Sequence, residues 1–146
     1  MWNQIREKKD LEKFMDTMES FHDSCIKEIR YFSGAYVDAE LAMYPVNDRR
    51  VLNVVIQRQF NRFPMIELEF SGLKYLKLFP ADDNFTCEIY DSTMLLSKGF
   101  IYWCDCGGVS EETLDNFNGT IICASELRWR PIEKCMGQDE FYSAKV

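Results

Sequence analysis

The sequence predicts an α+β fold: an N-terminal helix packed on a predominantly antiparallel β-sheet, either a curved sheet or a sandwich, with one short helix near residues 110–117. Three observations lead there. A stretch near the N-terminus repeats its apolar residues at helical spacing. Most of the remaining chain alternates with a period of two, and the connections between alternating stretches are short, as antiparallel neighbours allow and parallel crossovers do not. With 146 residues, 47% hydrophobic and 14% aromatic, the chain can fill one core without metals or disulfides, so a single domain over 1–146 is expected.

In chain order, Leu11, Phe14, Met15, Met18 and Phe21 form the first stripe, which places a helix over 10–21 with Asp10 as its N-cap. Cys25, Ile29 and Phe32 would extend the stripe, but His22-Asp23-Ser24 is a poor helix interior and YFSGAYV reads as strand, so the helix is expected to stop near His22. In residues 49–60, Leu52, Val54, Ile56 and Phe60 share one face. In MIELEF, Ile66, Leu68 and Phe70 share one, with Glu67 and Glu69 opposite. Asn61 to Pro64 can turn the chain between them, which predicts a hairpin. Leu76 and Leu78 suggest a further strand ended by Pro80, and Phe85, Cys87 and Ile89 another.

Met94–Leu96 and Phe100–Cys104 flank Ser97-Lys98-Gly99, a short hairpin connection. Gly107-Gly108 breaks the pattern, and SEETLDNF suits one or two helical turns capped by Ser110. The last strand sets Ile121, Cys123, Ser125, Leu127 and Trp129 against Ile122, Ala124, Glu126, Arg128 and Arg130. There is no internal repeat, low-complexity tract or interdomain linker.

The net charge of −7 is concentrated. Residues 80–117 carry Asp82, Asp83, Glu88, Asp91, Asp105, Glu111, Glu112 and Asp115 against a single cation, Lys98, while the rest of the chain is nearly balanced. Such a surface repels phosphate backbones and attracts cations, which disfavours nucleic acid and makes these eight acids candidates for contacting a basic protein partner; the alternative is that they only keep the chain soluble. No run of 18 apolar residues spans a membrane, and the first ten residues are charged, so a cytoplasmic protein without membrane contact is expected. In that compartment the six cysteines stay reduced and serve as small core residues, without disulfides. The two Asn-x-Thr acceptor patterns, at Asn84 and Asn118, then go unused.

Two groups invite a chemical reading. His22, the only histidine, stands beside Asp23 and three residues before Cys25, so any Cys–His hydrolase or transferase must pass through it. No glycine-supported nucleophile turn or oxyanion hole accompanies these residues; the competing reading is that His22 meets the carbonyl end of the first helix while Asp23 or Ser24 bonds the turn. Cys104 and Cys106 share a strand face and could hold a metal with Cys87 or Cys123, but zinc prefers paired Cys-x-x-Cys or histidine ligands, so the phase reads instead as buried thiols, with Cys135 the exposed one. No cofactor is expected, since no phosphate loop, dinucleotide fingerprint, zinc-protease helix or calcium loop is present. Arg58 shares the phase of Leu52, Val54 and Ile56. It is expected at the wet end of its strand, the alternative being a buried guanidinium that needs a carboxylate or several carbonyls.

FHDSCIKEIRYFSGAYV, after an amphipathic helix and before RVLNVVIQRQF, IELEF and the acidic FTCEI strand, resembles a group of short bacterial proteins of unknown function. Some similar α+β proteins with His-Asp after the first helix resemble immunity proteins of polymorphic toxin systems. The resemblance implies a compact bacterial cytosolic binding protein and carries over no catalytic residues; it names no toxin, and the acidic segment is what makes a basic toxin a candidate partner. Two other readings stand beside it: a small enzyme built on His22, and a homodimer joined along an exposed strand.

Overall fold

One short helix and a large curled antiparallel sheet, a half-barrel, make up the structure, a computed structural model that describes residues 1–133 and 136–143. The chain runs β1 (Asn3–Ile5), α1 (Lys8–Thr17), a 3-10 turn (Glu19–Phe21), β2 (Ser24–Phe32), β3 (Tyr36–Val37), β4 (Met43–Tyr44), β5 (Val51–Arg58), β6 (Met65–Lys77), β7 (Glu88–Ile89), β8 (Thr93–Ser97), β9 (Phe100–Cys104) and β10 (Ile121–Pro131). The sheet order is β7-β2-β5-β6-β10-β9-β8, β1 also pairs with β10, and β3–β4 form a separate two-stranded ribbon.

The helix begins earlier than its apolar stripe suggests. Glu7 is the N-cap, and Asp10 acts from the third helical position, its carboxylate accepting the N–H groups of Arg6 (2.9 Å) and Glu7 (3.2 Å). Those bonds hold the Asp10 carboxyl below its usual range. Leu11, Phe14, Met18 and Phe21 pack into the sheet's inner face. There Phe14 meets Trp129 at 5.2 Å between ring centroids, and Phe21 meets Trp103 edge-on at 5.8 Å.

The β5–β6 hairpin forms in the expected phase, with Leu52, Val54 and Ile56 opposite Phe70, Leu68 and Ile66. Leu76 belongs to β6 rather than to a separate strand. Gly72, with φ +61°, bends β6 without ending it, and a Cβ there would overlap the Ser125 hydroxyl of β10. Opposite this bend the β10 register slips between Cys123 and Ala124, so Ser125 and Glu126 are both exposed. The core phase therefore switches from Ile122 and Ala124 to Leu127 and Trp129, against the unbroken alternation expected from sequence.

β8 and β9 form the predicted hairpin, and Lys98 and Gly99 both take positive φ, as a mirror-image two-residue turn requires. Two expectations fail. Residues 110–116 make successive turns, Thr113 N–H to the Ser110 carbonyl and Asn116 N–H to that of Thr113, in place of the short helix near 110–117. Thr113 Oγ1 accepts the Ser110 N–H and competes with helical bonding there. The strand expected over 85–89 shrinks to Glu88–Ile89, because Asp82 folds residues 82–85 into a tight turn and leaves Phe85 and Cys87 exposed.

The outer face is polar but not bare. Arg130 forks onto Glu67 (2.9 and 2.7 Å), and Arg128 onto Glu69 (2.8 and 2.7 Å). The Trp2 ring lies under both guanidiniums. Residues 136–143 lie against this face as a strap: the Glu28 carboxylate accepts the N–H groups of Phe141 and Tyr142, Phe141 packs on Val55 and Met65, and the Tyr142 hydroxyl donates to Glu67 at 3.3 Å. Burial, then the Glu67 charge, pushes the Tyr142 phenol well above its ordinary range. No helix among the described residues is long and apolar enough to cross a membrane.

Candidate functional site

Three of the eight predicted partner-binding acids converge. Glu88, Asp91 and Asp105 line one cleft of about 400 Å³ together with Phe79, Phe85 and Tyr90. Two segments build it. Pro80 and the Asp82 turn take the chain out of the sheet after β6 and return it to β2 as β7, where Ser24 and Cys25 pair with Ile89 and Glu88. The opposite wall starts where β9 ends: Asp105 Oδ1 accepts the Thr120 N–H at 2.9 Å and the Asp105 N–H meets the Thr120 carbonyl at 3.2 Å, a reciprocal clasp.

Two glycines let the carboxylates sit against backbone. A Cβ on Gly107 would overlap Asp91 Oδ2, and one on Gly119 would meet Asp105 Oδ1 at 2.5 Å. Asp91 spends its other oxygen on the Ser92 N–H (3.0 Å), whereas the Glu88 carboxylate joins no hydrogen bond or ion pair among the described residues. Phe85 packs edge-on against Phe79 at 5.4 Å, and Tyr90 is 73% exposed. No Lys or Arg lines the cleft among the described residues. Clustered carboxylates beside exposed ring faces can accept hydrogen bonds from a cation and stack its flat or methylene portion.

The other five acids stand apart. Asp82 is consumed by its own turn, accepting the N–H groups of Asn84 (2.7 Å) and Phe85 (3.1 Å), with Asp83 exposed beside it. Glu111, Glu112 and Asp115 are exposed on the turns after Ser110, outside the lining. Sequence alone does not reveal the aromatic contribution, because alternation puts Phe85 on the apolar face of a strand that the Asp82 turn prevents.

His22 and Cys25 are not brought together by any hydrogen bond among the described residues. His22 Nδ1 lies 3.1 Å from Asp23 Oδ2 and its ring meets Phe60 edge-on, with nearly half of the side chain in solvent. Cys25 lines a different cleft, of about 450 Å³, with Asp23, Gln57, Arg58, Gln59 and Glu88. Burial, then the nearby Cys87, pushes its thiol up, opposite to the lowered range a nucleophile needs. The segment's backbone explains its residues better. Glu19, Ser20, Phe21 and Asp23 all take positive φ, and the turn is tied down by Ser92 Oγ to the Ser20 carbonyl (2.8 Å) and by Asp23 N–H to that of Ile89 (2.9 Å).

Arg58 corrects the expectation of a solvated strand end. It is only 4% exposed, donating Nη1 to the carbonyls of Arg62 (2.9 Å) and Phe63 (3.0 Å) and Nη2 to that of Met18 (3.0 Å). The carbonyl end of the first helix is thus met by a guanidinium from β5 and not by His22.

Among the described residues no group of three His, Cys, Asp or Glu side chains is placed to hold a metal. Cys104 and Cys106 contact the small apolar cluster around Val109, Leu114 and Ile121. Burial pushes the Cys104 thiol up to about 12, and burial with the Asp105 charge pushes Cys106 up to about 11. Cys106 Sγ points at Asp105 Oδ1 (3.5 Å) and the Asn118 carbonyl (3.7 Å). Cys123 is buried, Cys87 is exposed against expectation, and Cys135 lies outside the described residues. Comparison with protein-family models, curated proteins and solved structures returns no match.

Proposed function

We propose that this chain is a non-enzymatic, cytoplasmic binding protein that takes a basic side chain of a protein partner into the cleft between residues 79–91 and 105–119, in the manner of an immunity protein meeting a basic toxin. One observation carries the reading: Glu88, Asp91 and Asp105 converge on a single concavity with Phe79, Phe85 and Tyr90 and no cation among the described residues. A guanidinium fits such a lining best, since it forks onto carboxylates and stacks on rings. The surrounding acids, Asp82, Asp83, Glu111, Glu112 and Asp115, add long-range attraction that raises the association rate and makes it salt-sensitive.

The test is fluorescence anisotropy of a labelled arginine-rich peptide at low and physiological salt, with an acidic peptide of equal length as control. Glu88→Gln with Asp91→Asn is expected to weaken binding about tenfold and to flatten its salt dependence, and Tyr90→Ala to weaken it several-fold. Neutralising Glu111 and Glu112 should slow association and leave dissociation nearly unchanged. Equal affinity for the double variant and the parent would remove the cleft from the account.

A further inference from the structure

Eight of the thirteen exposed large apolar side chains among the described residues fall between positions 31 and 46. The most exposed are Leu41 at 85%, Met43 at 64% and Tyr36 at 59%. Tyr31 and Phe32 end β2, and the other six belong to an arm that leaves the main sheet there and returns before β5. β3 and β4 pair only with each other, through Tyr36 opposite Tyr44 and Val37 opposite Met43. Every residue from 39 to 50 is exposed. A two-stranded ribbon of this size is marginal alone in water, and an apolar cluster of this extent marks a contact surface.

The arm's size and charge identify what covers it. At ~150–250 Å² per large side chain and exposures between 39% and 85%, the eight side chains present on the order of 800 Å², divided between the two faces because neighbouring strand residues point to opposite sides. One face thus offers about half of what a partner contributes to a standard stable interface, with the charged ends supplying the rest. Charge is split along the arm. Its tip, where the Leu41 N–H bonds the Asp38 carbonyl at 3.0 Å, carries Asp38 and Glu40. Its base, where the Arg49 and Arg50 N–H groups meet the Ser33 carbonyl at 3.0 and 3.2 Å, carries Arg30, Arg49 and Arg50 against Asp48. Neither Glu40 nor Arg49 nor Arg50 joins an ion pair among the described residues. A surface with apolar area in its middle and opposite charges at its two ends is complementary to itself turned through a twofold axis.

We propose that residues 31–50 form a self-association surface, on which a second copy of this chain lays its own arm antiparallel, tip against base. Glu40 of each copy then meets Arg49 and Arg50 of the other, and Leu41 with the Val37–Met43 face of the ribbon is buried between them, the stacked Tyr36–Tyr44 pair lying on the opposite face. The surface shares no residue with the acid-lined cleft, so it stands or falls independently of the proposed function.

Sedimentation equilibrium over a concentration series, with circular dichroism to confirm folding, tests this directly. The parent is expected at twice the chain mass, and Leu41→Asp with Met43→Asp at the chain mass. Glu40→Arg alone and Arg49→Glu with Arg50→Glu alone should each weaken association at least tenfold. An equimolar mixture of those two charge variants should restore it, since each tip again faces an opposite base. A monomeric parent at high micromolar concentration, a dimer indifferent to Leu41→Asp and Met43→Asp, or a mixture no tighter than its components would each overturn the proposal. So would an arm that instead carries a monomeric parent onto lipid vesicles or onto the arginine-rich peptide.

Discussion

Arg58 shows how one side chain can organise two connections at once. Its three charge-assisted bonds hold the Met18 carbonyl at the end of α1 and two carbonyls of the β5–β6 loop, so Arg58→Ala would leave those of Arg62 and Phe63 without a donor and that of Met18 with the Phe21 N–H alone. We expect a loss of about 3 kcal/mol by urea unfolding, with Arg58→Lys recovering less than half because an ammonium cannot fork. The alternation of Leu52, Val54 and Ile56 puts Arg58 in the inner phase, but the rarity of buried charge favours a wet strand end, which the structure overturns. Its partners were illegible because carbonyls carry no sequence signature: they come from Met18 and from the path of residues 61–64. His22 had the opposite problem, a chemically loud residue whose position follows from left-handed backbone at Phe21 and Asp23. Replacing His22 by alanine should leave anisotropy with the arginine-rich peptide unchanged and cost little stability, since nearly half of the ring is solvated.

At the level of elements, β6 and β10 are each one strand with a fault in it. A period-two reading has no means of seeing a fault; it ends the strand, as at Gly72, or runs through, as at Ser125. Gly72→Ala combines positive φ with collision against Ser125, so it should cost about 2 kcal/mol, part of which Ser125→Gly recovers in the double variant. The strap was invisible because its anchor is backbone: the N–H groups of Phe141 and Tyr142 on Glu28. Glu28→Gln keeps the shape but removes the charge and replaces one of the two acceptor oxygens by a donor. Limited proteolysis is therefore expected to clip residues 136–143 several times faster in that variant, while β5 and β6 keep their hydrogen-exchange protection.

Over the whole molecule, the count of charges by segment marks the stretch that supplies three acids to the cleft, and the hydrophobic periods mark its scaffold. Neither could show which three acids converge, because that depends on Gly107 and Gly119 giving up their side-chain space to Asp91 and Asp105. The thiols give the molecule a defined response to alkali. The unfolded chain loses thiol protons near the ordinary value of 9.0, whereas the folded chain holds those of Cys104 to about 12 and Cys106 to about 11. Between those values the unfolded state binds fewer protons, so stability is fully present below pH 9.0 and falls as pH rises through the window. Urea midpoints should therefore decline on the alkaline side, and Cys104→Ala, though less stable at neutral pH, should decline less steeply.

The measurement closest to the central claim is a map of amide chemical shifts as the unlabelled arginine-rich peptide is titrated into isotope-labelled protein. Saturable shifts confined to residues 79–91 and 105–119, lost in the Glu88→Gln, Asp91→Asn variant, are the predicted result. Shifts centred on residues 22–25, or spread over every exposed acid in proportion to its charge, would contradict it.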